Sequence, residues 1–166
     1  MIEIQENLLT EHELNYVNDL IKNESKWVLR APFNQKDDIL GHSFFDSIHV
    51  DNSKLEEYSK KITNNGEYEV VETAINIITP DRQLKDSKHY DMGDLSFVTY
   101  LNDNFEGGKF CYNDDKNEEV SISPYVGLCL KINSKTLHWV SPVTNGIRFS
   151  LYTFLQKIQK KNKTLL

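Results

Sequence analysis

Disulfide chemistry, membrane spanning and excess positive charge are the first things this chain lacks. Only two cysteines, Cys111 and Cys129, occur in 166 residues. They form neither a C-x-x-C pair nor a dense framework, so a disulfide scaffold is excluded and buried free thiols inside strands are expected. That usage fits a reducing compartment. No apolar run approaches the ~20 residues that span a bilayer. The opening residues, Met1-Ile2-Glu3-Ile4-Gln5-Glu6, carry no basic segment followed by an apolar one. A soluble, unsecreted, cytoplasmic protein with no membrane partner is expected. The net charge is −6, and without Lys157, Lys160, Lys161 and Lys163 residues 1–156 stand at −10, which is −6 less four. Nucleic-acid affinity rests on lysines and arginines that neutralise phosphates, so a domain this acidic argues against a nucleic-acid partner.

The remaining composition, 39% hydrophobic, 11% aromatic and 27% charged, is ordinary for a globular chain of this length, which can bury a core without staples. Neither internal repeats nor linkers interrupt it. One domain over 1–156 is expected, with a helical N-terminal region over 1–66, a core over 67–156 and a basic tail over 157–166. Thr10-Glu11-His12-Glu13 has capping-box form and is followed by Leu14, Val17, Leu20 and Ile21 at helical spacing, predicting a helix near 11–23. A second capping box, Ser53-Lys54-Leu55-Glu56, opens a segment in which Leu55, Tyr58 and Ile62 share a face until Asn64-Asn65-Gly66 stops it. Strands are expected at 27–29 and 44–50, with a loop at 31–43 between them.

Beyond Gly66 the pattern turns to strands: 67–78, 95–101, 109–112, 119–122, 127–132, 138–140 and 147–155. Turn residues separate them, and Asn145-Gly146 reads as a type I′ hairpin signal between His138 and Arg148. Many short strands at this spacing predict an all-β sandwich or barrel, with the helices packed against one sheet. The polar loops 31–43 and 79–88 are expected to wall a substrate entrance.

His89-Tyr90-Asp91 is an H-x-D pair, and on an extended segment both side chains project to one face, about 6–7 Å apart along the chain. His138 lies on a later strand that a sandwich can fold back over the pair. Two imidazoles and one carboxylate on one face of an octahedral ion leave the other positions open, which suits non-haem Fe(II) when oxygen and a chelating co-substrate bind together. His49-Val50-Asp51 is a second H-x-D. It ends an apolar strand just before a helix start, where Asp51 has a structural job, whereas 89–91 follows a polar loop and precedes the strand 95–101; the later pair is preferred. Arg148 stands among Ile147, Phe149, Leu151 and Phe154. A guanidinium buried there needs a planar anion, which a dicarboxylate co-substrate supplies, with Ser150 or a tyrosine hydroxyl assisting.

These residues match a known pattern. The chain resembles the 2-oxoglutarate/Fe(II)-dependent dioxygenases, in their prolyl 4-hydroxylase-like branch, over about residues 89–155. The shared motifs, in order, are His89-Tyr90-Asp91, Tyr100-Leu101-Asn102, Gly107-Gly108-Lys109-Phe110, Pro124-Tyr125-Val126-Gly127, His138-Trp139-Val140-Ser141-Pro142-Val143 and Arg148-Phe149-Ser150. The resemblance implies a double-stranded β-helix, or jelly roll, with Fe(II) on His89, Asp91 and His138. It further implies 2-oxoglutarate anchored by Arg148 with Tyr100 and Ser150, O2 as oxidant and ascorbate as support. The implied activity is hydroxylation of an amino-acid side chain, in a prolyl-hydroxylase-like way, on a peptide, protein or free amino acid. The chain departs from the pattern at Ile77-Ile78-Thr79-Pro80-Asp81-Arg82, where many relatives carry a tyrosine and a glycine, and collagen-type relatives have lysine at the place of Arg148. The same chemistry on another small metabolite, and a non-catalytic jelly-roll binding module, remain as alternatives.

Overall fold

A computed structural model of the chain describes residues 2–23, 28–30, 45–81 and 88–159. The capping box at Thr10 opens helix α1 (Glu11–Asn23). Glu13 N–H donates to Thr10 Oγ1 at 3.3 Å, and Thr10 N–H donates to Glu13 Oε2 at 2.8 Å. Glu13 does more than close that box. Its Oε1 accepts the Tyr58 N–H at 2.9 Å, and Tyr58 lies in the first turn of α2 (Glu56–Ile62). One buried carboxylate thus caps two helices. Burial raises its pKa, but the hydrogen bonds from Tyr58 and Thr10 outweigh that and hold the carboxyl below its usual value.

The box expected at Ser53 does not form. Asp51 instead caps a 3-10 turn, Asn52–Lys54, by accepting the Ser53 N–H at 3.0 Å, and Leu55 precedes α2 with no side-chain cap. Glu13, from another helix, meets the donor that a local cap would have taken. Asn64, Asn65 and Gly66 end the helical segment as expected, all three in the left-handed region.

The strands in chain order are β1 (Ile2–Glu6), β2 (Val28–Arg30), β3 (Phe45–His49), β4 (Tyr68–Ile78), β5 (Leu95–Tyr100), β6 (Glu106–Gly107), β7 (Phe110–Asn113), β8 (Glu119–Ile122), β9 (Leu128–Asn133), β10 (His138–Val140), β11 (Val143–Asn145) and β12 (Arg148–Lys157). A seven-stranded sheet runs β1-β9-β5-β12-β4-β3-β2, and smaller sheets run β10-β7-β8 and β11-β6. Every pairing between them is antiparallel. The result is a mainly β jelly roll with the N-terminal helices against one sheet.

Strand alternation divides the large sheet into two faces. Ile75, Phe97, Cys129, Leu151 and Leu155 pack against Val17, Leu55, Tyr58 and Ile62 from the helical side. Tyr100, Leu128, Leu130 and Ile132 face the other way, against Phe110 of the smaller sheet. The candidate site belongs to this second face. Both cysteines are buried and free, and desolvation pushes the Cys129 thiol up to about 11.

Two local expectations need correction. Residues 2–6 form an edge strand on β9 that the helical reading of 1–66 omitted. Asn145-Gly146 does not close a hairpin: it joins β11 to β12, which lie in different sheets, and only Gly146 of the two has positive φ, whereas a type I′ turn needs both. The expected entrance loops fall outside the described residues, except for 79–81 and 88. Among the described residues no helix is long and apolar enough to cross a membrane.

Candidate functional site

His89 and His138 are brought together by backbone pairing. His89 N–H donates to His138 O at 2.9 Å, and His138 N–H returns the bond to His89 O at 3.1 Å. Their rings lie 4.4 Å apart between centroids. Asp91, two residues on, reaches both: Oδ1 is 3.5 Å from His89 Nε2 and Oδ2 is 3.5 Å from His138 Nε2. The ligand atoms of the three side chains all lie within 4.8 Å of one another, close enough for one metal ion.

The surroundings orient each ligand. His138 Nδ1 meets Thr136 O at 2.9 Å, and because a carbonyl only accepts, the proton sits on Nδ1 and Nε2 keeps its lone pair toward Asp91. Phe110 stacks on the same ring at 5.1 Å. Asp91 Oδ2 takes the Ser96 hydroxyl at 2.5 Å. Burial raises the Asp91 pKa, yet the hydrogen bond from His89, the charges of His138 and His89, and the Ser96 hydroxyl together hold it below the ordinary value. Burial lowers that of His138, against the pull of Asp91. An ionised carboxylate and a neutral imidazole are the states that bind metal. The other H-x-D is elsewhere: His49 is exposed at the end of β3, and Asp51 is the 3-10 cap.

Arg148 opens β12 and is 2% exposed. Its guanidinium lies over the Tyr100 ring, with Cζ 4.9 Å from the centroid. Gly108 crowds its stem, since a Cβ there would stand 3.0 Å from Arg148 Cδ. Arg148 Nε and Tyr100 OH are buried without hydrogen-bond partners, and among the described residues no ion pair involves Arg148. The burial was expected, but its cause differs. Phe149 and Leu151 join the core on the helical side and Ile147 is exposed; the Tyr100 ring and the close approach of Gly108 enclose the arginine.

Tyr100 on β5, Ser150 on β12, Asn76 on β4 and Ser47 on β3 stand opposite one another in register, a polar row across four strands on the face of Arg148. Ser47 Oγ and Asn76 Oδ1 are buried and unpartnered, like Tyr100 OH. Sequence reasoning missed Ser47 and Asn76. Each stands on a strand that carries other polar residues, so neither was marked as inward until the register aligned them. Orphaned buried polar atoms cost free energy unless a ligand or water satisfies them, and the Tyr100 hydroxyl beside an unpaired guanidinium fits a carboxylate.

The model of the 2OG-Fe(II) oxygenase superfamily matches residues 38–156, while no curated protein sequence matches the chain. Among solved structures, an oxidoreductase of the 2OG-Fe(II) oxygenase family from Burkholderia pseudomallei is 18% identical, with 98% of this chain and 88% of that one covered at a TM-score of 0.66. A Pseudomonas putida prolyl-4-hydroxylase is 16% identical, with coverage of 95% and 93% and a TM-score of 0.67. A Trichoplax adhaerens prolyl hydroxylase, solved with a hypoxia inducible factor oxygen degradation domain peptide, is 15% identical, with coverage of 94% and 83% and a TM-score of 0.67. At these identities the structures establish a shared fold. Because the family match spans most of the sequence, the chain belongs to the 2OG-Fe(II) oxygenase superfamily and is an enzyme of that class.

Proposed function

We propose that this enzyme hydroxylates an amino-acid side chain, in a prolyl-hydroxylase-like way, on a peptide, a protein or a free amino acid. His89, Asp91 and His138 would hold Fe(II), and Arg148, Tyr100 and Ser150 would anchor the distal carboxylate of 2-oxoglutarate. The observation that carries this reading is the buried, unpaired Arg148 beside the partnerless Tyr100 hydroxyl, on the same side of the large sheet as three convergent ligand groups. A buried cation without an anion is costly, and a carboxylate from outside the chain removes that cost. Bound there, iron, 2-oxoglutarate and O2 supply the oxidising power that converts C–H to C–OH, and ascorbate supports repeated turnover.

The chain's own groups bind and orient. Thr136 O and Phe110 fix the His138 ring, the Ser96 hydroxyl fixes Asp91, and the Tyr100 ring carries the guanidinium. A neutral or basic partner suits the charge of −6 better than a nucleic acid does. Two buried free thiols favour a cytoplasmic location. A small metabolite is the second reading, because the same fold is shared with an alpha ketoglutarate dependent epimerase from nogalamycin biosynthesis at a TM-score of 0.64. The test is a screen of peptide libraries and metabolites with Fe(II), 2-oxoglutarate and ascorbate, read as a mass gain of one oxygen matched by succinate. A proline-containing peptide product is expected. Succinate coupled only to oxidised metabolites other than amino acids would replace this reading with the second, and no succinate under any condition would end both.

A further inference from the structure

We propose that Asn102 is a positioning residue that aims Arg148 at the distal carboxylate of 2-oxoglutarate; the inference rests on the co-substrate reading of Arg148 given above. Strand β5 ends at Tyr100, which stands opposite Ser150. Leu101 N–H still reaches Phe149 O at 3.1 Å. The same register would set residue 102 opposite Arg148, but the chain has by then left the sheet.

The Asn102 side chain takes the place of the missing backbone. Its Nδ2 donates to Ile147 O at 2.7 Å, and its Oδ1 accepts the Phe149 N–H at 2.8 Å. These two peptide groups flank Arg148 on either side. The amide orientation is set by its neighbours, because Phe149 N–H can only donate and Ile147 O can only accept; turning the amide over would oppose like to like. A further Nδ2 bond to Asn104 Oδ1 at 2.7 Å holds the amide from the loop side.

The first residue of a strand is where a ladder frays, and Arg148 is that residue. A small pivot of its backbone moves the far end of a long side chain by more than the pivot itself, and bidentate pairing tolerates little misplacement. Asn102 closes the frayed end by bonding the chain before and after the arginine, without touching the guanidinium. Gly108, in a left-handed conformation (φ +60°), also packs against the stem, since a Cβ there would stand 3.0 Å from Arg148 Cδ. Asn102 therefore acts through Arg148.

A purely structural role would weaken every ligand alike, so the test compares two chelators. Mn(II)-loaded wild type, Asn102→Ala, Asn102→Asp and Arg148→Ala are titrated calorimetrically without oxygen. The ligands are 2-oxoglutarate and oxalate, which offers the metal two carboxylates but has no distal one for Arg148. Asn102→Ala should weaken 2-oxoglutarate about tenfold while oxalate changes less than about twofold. Asn102→Asp keeps the acceptor for Phe149 N–H and loses the donor to Ile147 O, so it should fall between; it also carries the comparison if the alanine variant does not fold. Unchanged 2-oxoglutarate affinity in the Asn102 variants, or equal loss for both ligands, overturns the proposal. If Arg148→Ala leaves 2-oxoglutarate affinity unaltered, the co-substrate reading fails and takes this proposal with it. Loss in Arg148→Ala alone confines the failure to Asn102.

Discussion

Replacing Arg148 by methionine should stabilise the ligand-free protein while removing its response to 2-oxoglutarate. The side chain is 2% exposed, its Nε has no partner, and its guanidinium lies over the Tyr100 ring at 4.9 Å. Holding an unpaired charge in such a place costs several kcal/mol after relaxation, roughly. A desolvated cation over an aromatic face returns up to about 2 kcal/mol. Methionine fills a similar volume and adapts to irregular space, so Arg148→Met should gain about 1–3 kcal/mol in urea unfolding. At roughly 2–4 °C per kcal/mol for a chain of this size, Tm should rise by about 2–12 °C. Addition of 2-oxoglutarate works in the opposite direction. At 100 times Kd a ligand adds about 2.7 kcal/mol to the form that binds it, and only the Mn(II)-loaded wild type should show that gain. Unfolding with and without 2-oxoglutarate under argon measures both effects. A ligand-free Arg148→Met that is less stable than wild type would refute the reasoning, because the guanidinium would then be satisfied from within.

Two further outcomes follow from buried polar atoms away from the arginine. Glu13→Gln should cost about 1–2 kcal/mol near neutral pH, since the amide cannot accept all of the bonds that Glu13 takes from Thr10 and Tyr58. The folded-state pKa of Glu13 is depressed, so its contribution is fully present above the unfolded value and fades as pH falls through the folded one; the gap between variant and wild type should close as pH falls below the ordinary glutamate range. A gap that stays constant in acid would contradict the capping role. Ser47→Ala removes a hydroxyl that is buried without a partner, and denaturation of the ligand-free protein should show no loss or a gain of about 1 kcal/mol; a loss above that size would mean the hydroxyl is already bonded.

The features of the site that could be read from the chain are those whose chemistry dictates residue type. His89, Asp91 and His138 stood out because one ion can be shared by two imidazoles and a carboxylate, and the structure brings the three together. Arg148 stood out because a guanidinium in an apolar stretch lacks an anion. The helix at Thr10 was legible because its cap is local, with donor and acceptor three residues apart. Tertiary replacements for local rules were not legible. Glu13 caps a helix 45 residues away, and the Asn102 side chain continues a ladder that the backbone has abandoned. Asn145-Gly146 misled because a hairpin requires its flanking strands to pair, and here they enter different sheets. Ser47 and Asn76 escaped because one hydroxyl or amide on a strand looks like surface until register sets it beside Ser150 and Tyr100.

The central claim is that the second H-x-D, not the first, holds the iron. Anaerobic competition titration of Fe(II) into wild type, Asp91→Ala and His49→Ala tests it most directly. Asp91 contributes the carboxylate between two imidazoles, each 3.5 Å from its oxygens, whereas His49 is exposed and Asp51 is engaged as a cap. The account predicts that Asp91→Ala loses most of the iron affinity and that His49→Ala binds iron as wild type does. Wild-type iron affinity in Asp91→Ala, or loss of iron in His49→Ala, would contradict it.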